Sequence, residues 1–328
     1  MIQLPPLISL LYFRSMINIR RFEPSDKSQW DYFVNRSNNG TFILLRDFMD
    51  YHKHRFQDHS LLIFSNNELI SVFAAHETGK QIHGHQGLTY GGYLFPKQLS
   101  LLLKEEILIQ TFAYYKNLGF KEVNIKPIPT IYHSLPDEST DYLAFKLKGT
   151  IFRCDTTSFL SLEPSNIPDF SGRDFVKFEK VYPDHHISSS KDISQYWENI
   201  LVPSLQKRHQ VYPAHTASEM QMLMDRFPEN ISFYNVCIDQ EPVAGCILFD
   251  TGRVLHVQYN AANEKGLQNG ALRYLHKKLI LNFSGKRRYY NFGISNENDG
   301  SYINKGLLEW KESFATSIFT HKFYRFML

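Results

Sequence analysis

The amino-acid sequence predicts an α/β (α+β) fold in which two copies of one domain follow each other, each a mixed sheet flanked by helices. A chain of 328 residues is long for one compact domain and comfortable for two. Similar residues also recur in the same order in both halves. Glu68 and Glu241, Thr78-Gly79 and Thr251-Gly252, and His83 and His256 lie 173 positions apart, whereas Asn124 and Asn291, and Ile151-Phe152 and Ile318-Phe319, lie 167 apart. The shared order indicates an internal duplication with a period too long for a solenoid.

Local sequence patterns give both halves the same series of elements. Each half has a predicted meander of three strands, with a hairpin signal at Asn66-Asn67 and at Asp239-Gln240. A helix and a further strand follow each meander. The predicted first half comprises strand 17–21, a helix after Pro24, helix 48–55, strands 60–65, 68–75 and 81–86, helix 98–118 and strand 122–126. The predicted second half comprises helices 194–209 and 217–227, strands 232–238, 242–250 and 254–261, helix 269–283 and strand 289–294.

Turn-forming residues mark the boundary between the two copies. Pro, Ser and Gly cluster between residues 163 and 174, which predicts a linker. We therefore expect an N-terminal domain over residues 17–165 and a C-terminal domain over residues 175–328, each with its own sheet. Residues 1–16 contain a short apolar run without a basic segment before it, and Met16 directly precedes the first predicted strand. We interpret residues 1–16 as a non-structural extension that is dispensable for stability.

Composition narrows the classes of function. The formal net charge of +3, without a clustered basic face, is too weak to indicate a DNA-binding protein. No window is long and apolar enough to predict an integral membrane segment. The three cysteines, Cys154, Cys237 and Cys246, fit neither a CxxC motif nor a disulfide framework, which indicates a reducing compartment and predicts a cytoplasmic protein. The oligomeric state is left open.

Several stretches of the sequence resemble a known superfamily. They are RHQVYPAHT (208–216), YNVCIDQEPVAGCILF (234–249), HVQYNAANEKGLQNGALRYLHKKLI (256–280) and YYNFGISNENDGSYINKGLLEWKESF (289–314), with RRFEPSDKSQWDYFV and HSLLIF…HGHQGLTYGG in the first half. Together with the element order, they resemble the GNAT acyltransferases, and the tandem arrangement is similar to the Fem-type peptidyltransferases and the bacterial GNAT proteins grouped with them. The resemblance covers residues 17 to 328. It implies two GNAT-like domains.

The resemblance also implies a donor site. In this superfamily the last strand of the meander is splayed from the next strand, the donor enters the gap, and the following helix presents its N-terminus to a pyrophosphate. The corresponding loop here runs from Glu264 to Ala271, so the implied cofactor-binding residues are Lys265, Gly266, Asn269 and Gly270. The usual spacing of a Gln or Arg with glycines three and five residues later is absent. The implied donor is acetyl-CoA or another acyl-CoA, and aminoacyl-tRNA stays possible because Fem-type enzymes use it.

The sequence also differs from the superfamily pattern at the position of the proton donor. A tyrosine after the next strand often protonates the leaving thiolate in this superfamily, but the corresponding position here holds Trp310, which cannot serve as such a donor. Tyr259 and Tyr302 are the candidates to substitute for it.

Polar residues on predicted strands give the remaining candidates. His256, Gln258 and Asn260 share one face of a strand, where uncompensated burial would be costly, so we interpret them as the wall of a cleft and take His256 as the base. Asn291, Gly293, Asn296 and Lys305 surround the end of the next strand, where open α/β folds bind ligands; simple turn chemistry is the alternative. His83 and His85 lie at alternate positions of a predicted first-half strand. We interpret them either as a substrate-binding pair or as structural histidines. No third ligand accompanies them, so we predict no metal site.

These observations lead to one functional hypothesis and one alternative. We expect an N-acyltransferase that moves an acetyl or aminoacyl group to an amine of a small-molecule sugar or a cell-envelope precursor. The cleft is expected mainly in the second half, with the first half contributing acceptor contacts. The alternative is a non-catalytic GNAT-like binding or scaffold protein, which the absent loop spacing and the absent tyrosine favour.

Overall fold

The computed structural model describes residues 17–170, 178–314 and 316–328. The predicted extension 1–16 and residues 171–174 of the predicted linker lie outside these ranges. The predicted domain limits at residues 165 and 175 therefore stay a prediction.

The first half follows the predicted series closely. Its strands are β1 (Ile17–Arg21), β2 (Gln57–Asp58), β3 (Leu61–Ser65), β4 (Glu68–Ala74), β5 (His76–Thr78), β6 (Gln81–His83), β7 (Gly92–Leu94), β8 (Glu122–Ile125) and β9 (Thr150–Ser161). Its helices are α1 (Lys27–Arg36), α2 (Arg46–Met49), α3 (Leu101–Asn117) and α4 (Ser139–Lys146). Both residues of the β3–β4 turn, Asn66 and Asn67, have positive φ, which explains the asparagines there. Ser100 caps α3 through a hydrogen bond from the Leu103 amide.

The second half repeats this series. Its strands are β10 (His186–Ser190), β11 (Ile231–Ile238), β12 (Glu241–Asp250), β13 (Val254–Ala262), β14 (Tyr289–Ile294), β15 (Asn296–Glu297), β16 (Tyr302–Ile303) and β17 (Ser317–Met327). Its helices are α5 (Ser194–Tyr196), continued by a π-helical segment (Trp197–Leu201) into α6 (Val202–His209), then α7 (Ala217–Arg226), α8 (Glu264–Gln268), α9 (Ala271–Phe283) and α10 (Lys305–Glu312). A capping box of Thr216 and Glu219 begins α7.

The sheets run across both halves. Among the described residues, one sheet has the order β10-β11-β12-β13-β14-β9-β17-β8-β6-β5-β2, and a second has the order β1-β3-β4-β7. The expectation that each half completes its own sheet is therefore wrong. The halves exchange their last strands: β9 of the first half pairs with β14 of the second, and β17 of the second pairs with β8 of the first. The exchange covers the edge that β8 and β14 would otherwise expose.

The hydrophobic core also joins the halves. Phe42 and Phe48 of the first half pack against Phe227 and Phe249 of the second, with ring centroids between 5.5 and 5.9 Å apart. Further clusters of buried residues belong mainly to one half each. Aromatic side chains account for much of this buried area. The two copies therefore form one packed body in addition to sharing a sheet. None of the helices within the described ranges has the length and apolarity needed to cross a membrane.

Candidate active site

A gap in the sheet of the second half creates the main cavity. β13 and β14 run parallel and pair only at Val254 with Tyr289, Leu255 with Tyr290, and His256 with Asn291. Beyond these pairs the strands diverge, and a cavity of about 550 Å³ lies between residues 257–260 and residues 292–294. The ladder between β12 and β13 shifts register at Ile247 and Leu248, leaving Gln258 as a bulged residue. The splay that the resemblance implies is present.

The predicted residues of the two strands line this cavity. His256, Gln258, Tyr259, Asn260 and Gly293 are all in its wall. Their polar side chains require partners or a ligand, because buried polar groups without either are costly.

His256 belongs to a hydrogen-bonded group at the closed end of the gap. Its Nδ1 lies 3.3 Å from the Tyr132 hydroxyl, and that hydroxyl accepts a hydrogen bond of 2.7 Å from the Asn291 amide. Asn291 Oδ1 accepts in turn from the Gly293 amide at 2.8 Å. Burial, together with the nearby Lys311, lowers the pKa of His256 to about 4. The imidazole is therefore neutral at physiological pH and only weakly basic.

Tyr259 and Asn260 make contacts behind the cavity wall. The Tyr259 hydroxyl lies 2.8 Å from His215 Nδ1, and burial raises the Tyr259 pKa to about 12. The Asn260 amide donates to His276 Nε2 at 3.1 Å. Both side chains are fixed by these contacts, which makes the wall rigid.

Lys311 is a cavity residue that the sequence interpretation missed. It is 3% exposed, and its ammonium nitrogen donates to the carbonyl oxygens of Gly293 at 2.9 Å and Ile294 at 2.6 Å. Burial lowers its pKa to about 7. The adjacent Trp310 packs against His276, Phe292 and Phe314 in the core. The cavity residue of α10 is thus the one that directly follows Trp310.

The first half contributes charged residues to the same cavity. Lys126, Arg153 and Asp155 line it, together with His321 of the exchanged strand β17. Lys126 donates to the Leu88 carbonyl oxygen at 2.5 Å, and burial with the nearby Arg153 lowers its pKa to about 8. Arg153 pairs with Asp155 at 2.9 Å. The strand exchange is what brings β9 and β17 to this wall, so no sequence pattern within one half could reveal it.

His83 and His85 lie away from this cavity. The strand ends at His83, and His85 has φ 55° in the following loop, so the predicted alternation on one strand is wrong. His85 packs with His52 and His76, whose ring centroids lie 5.1 and 5.4 Å away. Within the described ranges, no group of three or more His, Cys, Asp or Glu residues is arranged to hold a metal ion.

The corresponding gap of the first half is closed. β6 and β8 pair in parallel up to His83 with Asn124, as β13 and β14 do up to His256 with Asn291. Beyond that point the Gly84 amide donates to the Asn124 carbonyl oxygen at 2.7 Å and the Gly91 amide donates to that of Lys126 at 2.8 Å. A loop of residues 84–91, which interrupts the strand between β6 and β7, therefore occupies the place of the cleft.

The predicted phosphate loop is largely occupied by internal contacts. Residues 264–268 form the short helix α8, and the exposed Lys265 pairs with Asp239 at 3.0 Å. A side chain at Gly266 would overlap the Val243 carbonyl oxygen, so this glycine permits close packing on β12. The Asn269 amide donates to the Lys265 carbonyl oxygen at 2.7 Å. Only Gly270, with φ 72° before the uncapped N-terminus of α9, keeps the geometry expected of an anion site.

Three predicted residues lie elsewhere. Tyr302 is 52% exposed on the β15–β16 hairpin and is not among the cavity residues. Lys305 is exposed at the first position of α10. The Asn296 side chain accepts from the Thr156 amide at 2.5 Å and donates to the Gly300 carbonyl oxygen at 3.1 Å, which is the turn chemistry given as the alternative. The geometry therefore separates these three from His256, Gln258, Tyr259 and Asn260.

Comparisons with known proteins agree with this geometry. Residues 182–312 match the family model of the acetyltransferase (GNAT) domain. The fold is similar to that of FemX, with a TM-score of 0.67 at 10% identity over 95% of this chain and 97% of that one. It is also similar to the C-terminal domain of a putative lysylphosphatidylglycerol synthetase from Agrobacterium fabrum, with a TM-score of 0.58 at 9% identity over 92% of each chain.

A third similar structure is a tandem GNAT protein from the clavulanic acid biosynthesis pathway, with a TM-score of 0.50 at 8% identity over 95% of this chain and 98% of that one. No curated protein matches the sequence. Residues 182–312 therefore match a GNAT-type acetyltransferase domain, and the fold of the whole chain is similar to that of FemX and of a tandem GNAT protein.

Proposed function

We propose that the protein transfers an acetyl or aminoacyl group to a primary amine in the gap between β13 and β14. The acceptor is an amine of a sugar or cell-envelope precursor, the class that the Fem-like resemblance implies. The observation that carries the proposal is the buried amine of Lys311, held at the open end of the gap by two carbonyl oxygens. The three free cysteines support a cytoplasmic location.

The contacts of Lys311 support a role in proton transfer. A neutral lysine amine has two N–H groups, and the Gly293 and Ile294 carbonyl oxygens accept both, which leaves the nitrogen lone pair free. A pKa near 7 places this neutral form within the physiological range. The acceptor amine must lose a proton when it attacks the acyl carbonyl carbon, so Lys311 is the group we assign to receive it. After protonation its third N–H becomes available to the oxygen that bears negative charge. When the acyl–oxygen bond of aminoacyl-tRNA or the acyl–sulfur bond of acyl-CoA breaks, Lys311 can return this proton to the departing oxygen or sulfur.

His256 and Tyr259 then have supporting roles. His256 is neutral and linked through Tyr132 to Asn291, so it holds the closed end of the gap, and with Nδ1 accepting from the Tyr132 hydroxyl its Nε2–H can donate a hydrogen bond to the substrate. Tyr259 stays protonated because its pKa is raised, and its hydroxyl is held by His215. Gln258 and Asn260 complete the polar wall, with the bulge at Gln258 releasing backbone groups from the ladder.

The charges of the cavity bear on the donor. Lys126 and Arg153 favour a substrate with phosphate or carboxylate groups. Coenzyme A would find only backbone amides of α9 at the expected pyrophosphate position, because Lys265 and Asn269 are engaged elsewhere. Aminoacyl-tRNA is therefore the donor we favour, with acyl-CoA as the second choice.

A transfer assay with the full chain tests the proposal. Radiolabelled aminoacyl-tRNA and acetyl-CoA are each offered with a panel of sugar and peptidoglycan-precursor amines. Lys311→Met should lower turnover by about a hundredfold or more, the scale of losing a proton-transfer group. Lys286→Met serves as the matched control, because Lys286 is exposed and outside the cavity. The wild-type rate should rise with pH through about 7, and this rise should be absent in Lys311→Met.

Two results would contradict the proposal. Equal turnover of wild type and Lys311→Met would remove Lys311 from the chemistry. Absence of transfer with either donor, with no binding of either, would favour the non-catalytic alternative.

A further inference from the structure

A second cavity, of about 330 Å³, lies beyond the end of β8, between helix α4 and strand β17. His321 lines both this second cavity and the cavity between β13 and β14, so the two cavities are neighbours that share a lining residue. We propose that this second cavity binds a small hydroxylated ligand through a primary ammonium group. The inference concerns binding alone and does not depend on the transfer chemistry.

The charge of the second cavity is opposite to that of the first. Three carboxylates, Asp137, Glu138 and Asp141, line it, with Lys322 as the cation in the wall. Asp137 pairs with the buried Lys104, and Asp141 lies 3.3 Å from Lys322. The side chain of the exposed Glu138 makes no hydrogen bond or ion pair with the described residues. A ligand with one positive charge would therefore complement the unpaired Glu138 carboxylate.

A buried histidine gives independent support. His133 is 8% exposed, and its Nε2–H donates to the Ile128 carbonyl oxygen at 2.8 Å. Burial lowers its pKa, so the ring is neutral and Nδ1 carries a lone pair. This Nδ1 has no partner in the described part of the chain. An acceptor without a donor is costly when buried, and an N–H or O–H group of a ligand would satisfy it.

The remaining polar groups of the cavity wall can form hydrogen bonds with hydroxyl groups of a ligand. Thr130, Thr140 and Thr320 line the cavity, and their side chains make no hydrogen bonds to the described residues. His321 donates its Nε2–H to the Pro127 carbonyl oxygen at 3.0 Å, which leaves its Nδ1 as another acceptor. An ammonium group with several neighbouring hydroxyls therefore matches both the charge and the hydrogen-bonding groups of the wall.

Binding of an amino sugar tests this assignment. D-glucosamine and D-glucose have the same ring and differ in one ammonium group, so their affinities for the full chain are compared by isothermal titration calorimetry and saturation-transfer NMR without any acyl donor. Glucosamine should bind detectably, and glucose should bind at least about fivefold more weakly, as expected for the loss of a partly exposed ion pair.

Variants locate the binding. Glu138→Gln keeps the shape and removes the unpaired charge, so it should weaken glucosamine binding about fivefold. Glu229→Gln is the matched control, with the same chemical change at an exposed position outside both cavities. His133→Gln keeps a donor for the Ile128 carbonyl oxygen and removes the Nδ1 acceptor, so it should also weaken binding while the melting temperature is retained.

Three results would overturn the assignment: no glucosamine binding, equal binding of glucose, or equal weakening by Glu138→Gln and Glu229→Gln. Because no donor is present, a failed transfer assay leaves this test unaffected, and a failed binding test leaves the proposed transfer unaffected.

Discussion

Replacing His52 with phenylalanine should make the protein less sensitive to acid. His52 is 1% exposed among aromatic and imidazole rings, and burial lowers its pKa from the ordinary 6.5 to about 4. In the unfolded chain the same ring titrates near its ordinary value. Between pH 6.5 and about 4, the unfolded state therefore binds a proton that the folded state excludes. The free energy of unfolding falls as the pH falls through this window and is constant again below it.

The magnitude follows from the two pKa values. For one such histidine, lowering the pH from 7 to 5 removes about 2 kcal/mol of stability. Phenylalanine has a similar shape and no titrating group, so it removes the proton uptake and keeps the ring packing. Urea unfolding at pH 7 and pH 5 measures the difference. The loss between the two pH values should be about 2 kcal/mol smaller in His52→Phe than in the wild type.

A control separates this effect from the rest of the acid response. His54 is exposed, so His54→Gln should lose as much stability as the wild type between pH 7 and pH 5. Equal losses in all three proteins would refute the argument, because they would show that His52 takes up its proton in the folded state as readily as in the unfolded one.

Two further predictions concern the union of the halves. Phe249→Ala removes a buried ring that contacts Phe42 and Phe48, so it should lower the free energy of unfolding by about 3–5 kcal/mol. Urea unfolding should still show a single cooperative transition, and two separate transitions would contradict a joint core. The fragments 17–170 and 178–328, expressed separately, should each fail to give a cooperative unfolding transition, because each fragment lacks an exchanged strand. Mixing the two fragments should restore the cooperative transition, and independent folding of either fragment would contradict the prediction.

Local patterns were sufficient for most elements and for part of the site. Period-two alternation and turn residues predicted β11, β12 and β13 to within one residue at each end, because both signals lie within a few positions. The polar face of His256, Gln258 and Asn260 was visible for the same reason. The pairing partner of β9 could not be predicted from the sequence. β9 and β17 occupy corresponding positions in the two copies, so pairing of β9 with β14 or with β8 satisfies the same local pattern.

Other features depend on contacts that no short pattern encodes. Lys311 lies on an amphipathic helix with a charged residue on either side of the Trp310-Lys311 pair, where a lysine normally faces solvent. Its burial becomes apparent only once the Gly293 and Ile294 carbonyl oxygens are placed beside it. Residues 84–86 were interpreted as the continuation of a strand, because His83 and His85 preserve the alternation although His85 has a positive φ.

The closed gap of the first half and the composite cavity of the second have one structural origin. In the first half, the amides of Gly84 and Gly91 donate to the backbone of β8 and of the residue after it, so the loop fills the gap between the strands. The same loop supplies the Leu88 carbonyl oxygen that holds the Lys126 ammonium in the wall of the cavity between β13 and β14. The first half, whose own gap is closed, therefore positions the Lys126 ammonium in the cavity wall of the second half. The exchanged strand β9 adds Arg153 to the same wall. Within the described residues, the duplicated fold with one open gap between parallel strands is thus a single structural unit, since each half completes the sheet of its neighbour and the first half completes the cavity wall of the second.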